Sequence, residues 1–395
     1  MRTSHALAVV VPFFAACTAP TDDTEQLAFE PASESAAPDP VQMGPFPVGV
    51  RTITLVDESR QNPAGDGPRT LVTEIWYPAA QSANDDERYV YDLHTYLPDS
   101  LKGEVPEDAL GSLATDAVRD APMQPDRGPF PLVVFSHGKG GIRMQSTFYT
   151  VLLASHGYVV ASPDHQGDTL IELLEEGDVV ISTTVDAFLD RPLDVSFLLD
   201  HFEDLPADDP LTGQIDMERV GVTGHSFGAL TTFRTAGGDA RVRAIVAQTP
   251  VGIGLVEAGL EIPVREFGIP AMIQSAGLDR TLPADLHADS LWAEMQRPRY
   301  SLMLHTAGHF TYSDLCILDL VAIDAALDVD VAGVLEDGCG PTNLAPEDAF
   351  PTINNFAVAF FNRYLRASDG SAQFLDDDIG KAIGGAGEVS FVGEP

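Results

Sequence analysis

The chain has 395 residues, 44% of them hydrophobic, which is enough for one large domain or two ordinary ones with a substantial core. Its formal net charge is −38, because 60 acidic residues stand against only 22 basic ones. Such an acidic surface would repel a polyphosphate, so the composition argues against nucleic acid as a partner. It favours a soluble surface adapted to salty surroundings.

The first sixteen residues have the pattern of a secretory signal peptide. A positively charged start at residues 1–5 is followed by an apolar run at residues 6–16 that is too short to span a bilayer. The run ends at Cys17 and resembles a bacterial lipoprotein signal, in which the cysteine becomes the lipidated first residue. Ordinary cleavage without lipidation is the alternative, and both alternatives predict an exported protein.

Residues 17–45 predict an acidic tether, rich in Pro and Ala, instead of a folded element. Residues 18–49 contain no Lys or Arg. A tether of this kind suits a monomer that contacts the bacterial cell envelope only through a lipid on Cys17. If Cys17 is not lipidated, we expect the protein to be secreted.

Eight apolar runs predict strands, and most of the later ones are short and almost wholly apolar, as in a parallel sheet covered on both faces. They lie at residues 50–56, 71–77, 132–136, 158–162, 219–223, 243–248, 271–275 and 300–305. Helices are predicted at residues 143–155, 187–203, 227–236, 284–295 and 352–366. The alternation predicts an α/β fold with a mostly parallel eight-stranded sheet and helices on both faces.

These elements define one domain at residues 46–366, followed by a C-terminal tail at residues 367–395. The segment 78–130 between the second and third strands is too long for a plain connection. It either walls a cleft as a lid or is a peripheral insertion.

The run at residues 219–223 leads directly into Gly224-His225-Ser226-Phe227-Gly228. A Gly-x-Ser-x-Gly turn between a strand and a helix lifts the serine hydroxyl above the sheet, and the glycines leave room for a crowded backbone. Ser226 is therefore the candidate nucleophile. The alternative is a glycine-rich loop with a surface serine.

An acid and a base for this serine follow in chain order. Asp279 lies just after the seventh strand and His309 just after the eighth, at the sheet edge where catalytic groups gather. The prediction is that His309 takes the proton of Ser226 and that Asp279 orients His309. Three other aspartates are alternatives in poorer positions: Asp285, Asp289 and Asp314.

The third strand runs into a glycine-rich loop that begins His137-Gly138-Lys139. Glycines let backbone N–H groups approach a substrate, so the N–H groups of Lys139 and Phe227 are candidates for an oxyanion hole. No clustered metal-ligand motif is present, and the sequence predicts neither a metal nor a cofactor.

The stretches 134–138, 153–160 and 224–228 resemble the α/β-hydrolase fold. More narrowly, they resemble the platelet-activating factor acetylhydrolase family and the bacterial proteins grouped with it as predicted dienelactone hydrolases. The likeness covers about residues 46 to 366. It implies a serine carboxylic-ester hydrolase that acts without a metal on short-chain acyl esters or phospholipid acyl groups.

One feature departs from that family. Its acid follows the sixth strand, where this chain reads Val-Ala-Gln-Thr-Pro at residues 246–250 and has no carboxylate. Asp279 after the seventh strand resembles the placement in cutinase-like polyester hydrolases and general esterases. Dienelactone hydrolases use a cysteine nucleophile, so Ser226 argues against that substrate. A non-catalytic surface binding lipoprotein with this fold is the alternative from another class.

With Cys17 assigned to the signal, Cys316 and Cys339 remain as a pair. An even pair in an exported protein favours a disulfide bond.

Overall fold

A computed structural model of the protein describes residues 37–176, 181–327, 331–385 and 388–395. The expected signal peptide, the lipidation site Cys17 and most of the tether lie outside these residues. Within them, no helix has both the length and the apolar character needed to cross a bilayer.

The strands of the described residues are β1 (Val48–Gln61), β2 (Pro68–Pro78), β3 (Val90–Asp92), β4 (Ser112–Ala114), β5 (Ala117–Arg119), β6 (Phe130–Ser136), β7 (Val159–Pro163), β8 (Ile215–His225), β9 (Val242–Gln248), β10 (Ala271–Ala276), β11 (Arg299–Leu304) and β12 (Val389–Glu394). The α-helices are α1 (Asp99–Lys102), α2 (Thr147–Ser155), α3 (Leu170–Glu176), α4 (Ile181–Glu203), α5 (Phe227–Gly238), α6 (Ile253–Val256), α7 (Ala288–Glu294), α8 (Leu320–Leu327), α9 (Val331–Cys339), α10 (Pro346–Leu365) and α11 (Asp377–Gly384).

One sheet contains ten of these strands, in the order β12-β11-β10-β9-β8-β6-β7-β2-β1-β5. The stretch from β11 to β7 is parallel throughout. Antiparallel pairs join β7 to β2, β2 to β1 and β11 to β12. The predicted α/β fold with a mostly parallel sheet is therefore confirmed.

The predicted strand count of eight is corrected to ten by the two edge strands. β5 has only three residues, too few to show a hydrophobic period. β12 buries Val389 and Phe391 on one face, while its other residues are polar, glycine or partly exposed. Residues 367–395, set apart above as a C-terminal tail, thus supply α11 and an edge strand of the same sheet.

The apolar strands have helices on both faces because successive side chains of a strand point to opposite sides. On β6, Leu132 and Val134 belong to a core shared with α4 and α5. Val133 and Phe135 belong to a second core shared with α2 and α10. All four side chains are fully buried, which explains why the strand shows no polar alternation.

The insertion at residues 78–130 adds β5 to the sheet edge and packs part of its chain against α8. Leu97, Val105 and Leu110 form a small apolar cluster with Ile323. The insertion therefore contacts the segment that follows β11.

The aromatic packing of β12 allows a test of its place in the domain. Phe391 is 6% exposed, and its ring centroid lies 4.2 Å from that of Phe356 on α10. We expect Phe391→Ala to lower the free energy of unfolding by about 3–4 kcal/mol, because it removes a buried ring and leaves a cavity. The neighbouring Val392 is 51% exposed, so Val392→Ala should change it by less than about 0.5 kcal/mol. Chemical denaturation measures the free energy of unfolding of both variants. Equal values for Phe391→Ala and Val392→Ala would contradict the packing of β12.

Candidate active site

Ser226 occupies the sharp turn between β8 and α5. Its φ of 57° lies in the left-handed region, which is strained for a residue with a side chain. The turn is held by a hydrogen bond from the Ser226 N–H to the Gln248 carbonyl (2.9 Å) and by one from the Ala229 N–H to the Ser226 carbonyl (2.9 Å). The hydroxyl is thereby presented at the edge where β8 ends.

Gly224 and Gly228 allow the turn to press against the end of β6. A Cβ atom on Gly228 would overlap the Ser136 carbonyl, and a Cβ on Gly224 would lie 2.6 Å from the same oxygen. Gly138 is tight as well, since its Cβ would lie 3.2 Å from the His225 ring. These contacts give the predicted glycines a physical role, which is close backbone approach.

The structure brings Ser226, His309 and Asp279 into direct contact. His309 Nε2 lies 2.8 Å from Ser226 Oγ, and His309 Nδ1 lies 2.8 Å from Asp279 Oδ2. Since a carboxylate only accepts, Nδ1–H donates to Asp279 and Nε2 accepts from the serine hydroxyl. His309 and Asp279 are buried and Ser226 is half-buried, so the hydroxyl is the accessible end of the chain of contacts.

The alternative acids lie elsewhere. Asp285 is exposed just before α7, and Asp289 is exposed in its first turn. Asp314 is buried, and its carboxylate accepts hydrogen bonds from the backbone N–H groups of Thr147 and Phe148 at the start of α2. It therefore caps a helix.

For both candidate oxyanion donors, hydrogen bonds to the carbonyl of the preceding residue fix the direction of the N–H. In a trans peptide the C=O and N–H point in opposite directions. The Ser226 carbonyl accepts from the first turn of α5, so the N–H of Phe227 points back toward the start of that helix, its positive end. The Gly138 carbonyl accepts from buried side chains, so the N–H of Lys139 points away from them. The Lys139 ammonium pairs with Asp168 (3.3 Å).

His225 connects the loop that carries His309 to the glycine-rich loop after β6. Its Nε2–H donates to the His309 carbonyl (2.9 Å), and its Nδ1 accepts from the Gln145 amide (3.1 Å). The amide oxygen of Gln145 in turn accepts the Gly138 N–H (2.8 Å). Burial lowers the pKa of His225 to about 3, so the ring is neutral and can donate at Nε2 while it accepts at Nδ1.

Asp337 is a site residue that sequence reasoning missed. Its carboxylate accepts from the N–H groups of Arg280 (3.0 Å), Thr281 (2.8 Å) and His309 (3.3 Å), and from the Thr281 hydroxyl (2.7 Å). Burial raises the pKa of Asp337, but the Thr281 hydroxyl and these N–H groups outweigh it and hold the pKa below its usual value. One ionised carboxylate thus ties the loop after Asp279 to the loop of His309.

A second Ser-His-Asp set begins at Ser136, the last residue of β6. Ser136 Oγ is 2.9 Å from His165 Nε2, and His165 Nδ1 is 2.9 Å from Asp194 Oδ2. All three side chains are fully buried, and Asp194 also pairs with Arg69. Because none of them is accessible to a substrate, this set is structural, whereas Ser226 in the other set is half-buried.

Comparisons of the sequence with known families and proteins find similarity to acetylhydrolases. The sequence model of the family described as platelet-activating factor acetylhydrolase, isoform II, matches residues 32–172, and one described as PET hydrolase-like matches residues 133–317. The platelet-activating factor acetylhydrolase of Canis lupus familiaris is 25% identical over 214 residues, which are 44% of this chain and 48% of that protein. The protein of the same name from Cavia porcellus is 24% identical over 250 residues, which are 52% of this chain and 54% of that protein. The chain thus spans about half the length of these relatives.

A solved structure extends the likeness over most of the chain. The ferulic acid esterase from Streptomyces cinnamoneus matches with a TM-score of 0.64 and 25% identity, covering 88% of this chain and 96% of that one. The fold is therefore that of an α/β-hydrolase. Within this class the chain resembles the platelet-activating factor acetylhydrolases, as its motifs predicted.

The disulfide predicted between Cys316 and Cys339 is present, with a sequence separation of 23 residues. It lies two residues from Asp337. Replacing both cysteines by serine should lower the free energy of unfolding by about 3 kcal/mol, because the unfolded chain regains the entropy of an open loop. Thermal and chemical denaturation measure the loss. Wild-type protein treated with a thiol reductant is the control and should match the double variant, whereas unchanged stability would contradict a closed loop.

Buried neutral histidines predict a loss of stability in acid. Burial lowers the pKa of His156 and of His165 to about 4 and that of His225 to about 3, whereas an unfolded histidine titrates near 6.5. The unfolded chain therefore binds more protons, and stability present above about pH 6.5 is lost as the pH falls toward 4.

His156→Gln tests this away from the active site. Between pH 7.5 and pH 4.5, its free energy of unfolding should fall by about 2–3 kcal/mol less than that of the wild type. Denaturant titrations at the two pH values give both decreases. Identical decreases would show that His156 is not held neutral.

Proposed function

We propose that the protein is a carboxylic-ester hydrolase in which Ser226, His309 and Asp279 form a catalytic triad. The observation that carries this proposal is the pair of 2.8 Å contacts joining the three side chains at a strained, half-buried serine turn. Similarity to acetylhydrolases and to a ferulic acid esterase supports ester hydrolysis as the reaction.

In the first half-reaction, Ser226 Oγ attacks the ester carbonyl carbon while its proton passes to His309 Nε2. The carbonyl electron pair moves to the oxygen, and the N–H groups of Lys139 and Phe227 stabilise the resulting oxyanion. When the oxyanion collapses, the bond to the leaving alkoxide breaks. The alkoxide takes the proton from Nε2 and leaves an acyl ester on Ser226.

In the second half-reaction, water attacks the acyl carbon and gives a proton to His309 Nε2. Collapse of the new oxyanion breaks the bond to Ser226 Oγ, which recovers the proton. The products are an alcohol and a carboxylic acid. Asp279 holds the ring through Nδ1–H and stabilises the imidazolium that forms in each half.

The substrates that the resemblance supports are short-chain acyl esters or acyl groups of phospholipids. A polyester or general esterase substrate is the second candidate. One observation favours it: β9 ends at Gln248 without a carboxylate, and the acid follows β10 instead. The match to the PET hydrolase-like family model over residues 133–317 points the same way. Parallel assays on acetylated phospholipid, triglyceride and polyester film separate the candidates.

The proposal includes an exported monomer held at the cell envelope by a lipid on Cys17, with residues 17–45 as its tether. The insertion at 78–130 packs against Ile323 in the segment after His309, and we propose it as the candidate lid of this site. Metabolic labelling with a fatty acid, compared between wild type and Cys17→Ala, tests the anchor.

The triad itself is tested by hydrolysis of 4-nitrophenyl acetate. Ser226→Ala should lower kcat by at least about 10⁴-fold, and Asp279→Asn by about 10³- to 10⁴-fold. Asp285→Asn removes an exposed carboxylate of the same type and should stay within twofold of the wild type. Wild-type activity in Ser226→Ala would refute the triad. If wild type neither hydrolyses esters nor is labelled by a fluorophosphonate at Ser226, the protein is a binding module.

A further inference from the structure

Arg191 on α4 is a fully buried arginine whose partners lie in the glycine-rich loop after β6. Its guanidinium donates to the His137 carbonyl (2.6 Å) and to the Gly138 carbonyl (3.0 Å). It also donates to the Asp168 carbonyl (3.2 Å) and forms an ion pair with the Asp168 carboxylate (2.7 Å). A buried charge is stable only when it is paired and hydrogen-bonded in this way, so the guanidinium and its partners hold one another in place.

The same guanidinium reaches the serine turn. Its Cζ lies 4.9 Å from the centroid of the Phe227 ring, within the range of a cation–π contact. Asp168, its ionic partner, also accepts the Gly140 N–H (3.2 Å). Arg191 therefore contacts both segments that carry the candidate oxyanion donors, Lys139 and Phe227.

The consequence follows from peptide geometry. The Gly138 carbonyl and the Lys139 N–H belong to one trans peptide, so fixing the carbonyl on Arg191 fixes the opposite direction of the N–H. We propose that Arg191 is the positioning residue of the oxyanion hole, because it clamps the carbonyl side of the Lys139 peptide and packs against Phe227. This inference rests on the proposed ester hydrolysis at Ser226.

Arg191→Lys is the informative substitution. Lysine keeps the positive charge but lacks the planar fork that binds two adjacent carbonyls at once. We expect kcat for 4-nitrophenyl acetate to fall by about tenfold to hundredfold with KM within twofold, since loss of one whole oxyanion donor lowers the rate by about 10²- to 10³-fold. A general loss of packing would lower stability without lowering kcat selectively over KM.

A thionoester gives a readout specific to the oxyanion hole. In 4-nitrophenyl thionoacetate, sulfur replaces the carbonyl oxygen, and sulfur is larger and a weaker hydrogen-bond acceptor. A well-aligned hole therefore favours the oxygen ester, and a misaligned hole loses that preference. The ratio of kcat/KM for the oxygen ester to that for the thionoester should fall in Arg191→Lys by about the same factor as kcat.

Arg234 is a matched control on α5. It is 8% exposed, donates to the carbonyls of Val256 and Ala258, and lies 3.8 Å from the Phe188 ring centroid. Like Arg191, it donates to backbone carbonyls and lies against an aromatic ring, but away from the glycine-rich loop. Arg234→Lys should keep the wild-type ester to thionoester ratio, even where its melting temperature falls as much as that of Arg191→Lys.

The outcomes separate the two proposals. If Ser226→Ala is inactive but Arg191→Lys keeps the wild-type ratio and kcat, the positioning role is refuted while the triad stands. If Ser226→Ala retains wild-type activity, the proposed function itself fails. Should Arg191→Lys not fold, Asp168→Asn decides, because it removes the carboxylate that pairs with Arg191. Lys139→Ala is its control, since it removes only the other ion pair of Asp168. An unchanged ratio in Asp168→Asn would overturn the inference, whereas a fall of about threefold or more beyond that of Lys139→Ala supports it.

Discussion

The contact between the backbones of β6 and β8 at their C-terminal ends is the constraint on which the site depends. In the parallel register, Ser136 pairs with Gly224, so the glycine-rich loop and the serine turn leave the sheet side by side. The glycines at 224 and 228 let the turn approach the Ser136 carbonyl more closely than any side chain would permit. The backbone pairing alone therefore makes the candidate nucleophile and the candidate oxyanion donors neighbours.

Around this contact, buried polar groups fix the loops. Asp337 links the loops of Asp279 and His309 through backbone N–H groups. His225 and Gln145 link the His309 carbonyl to the Gly138 N–H. Each of these side chains has hydrogen-bond partners at both of its polar atoms. Buried polar atoms need such partners to avoid a large loss of stability. The neutral form of His225 meets the same condition, and burial favours that form by lowering the pKa of the ring.

Two Ser-His-Asp sets have nearly the same internal distances but differ in backbone conformation at the serine and in exposure. The side chains of the Ser136 set are fully buried, and its aspartate also pairs with Arg69. In the set of Ser226, the serine is only half-buried. Hydrogen-bond geometry alone does not identify a reactive serine, and access from solvent distinguishes the two.

The sequence by itself determined the fold class, the serine turn and the chain order of Ser226, Asp279 and His309. These are local signals: a strand period, a glycine spacing, and a polar residue just past a strand end. Only the tertiary structure decided the edge strands β5 and β12, the bridging role of Asp337 and the placement of Arg191 against His137 and Gly138. Those features join residues far apart in the chain, or elements too short to show a period. Packing of the whole domain determines which residues meet in these contacts, and no local sequence pattern encodes that packing.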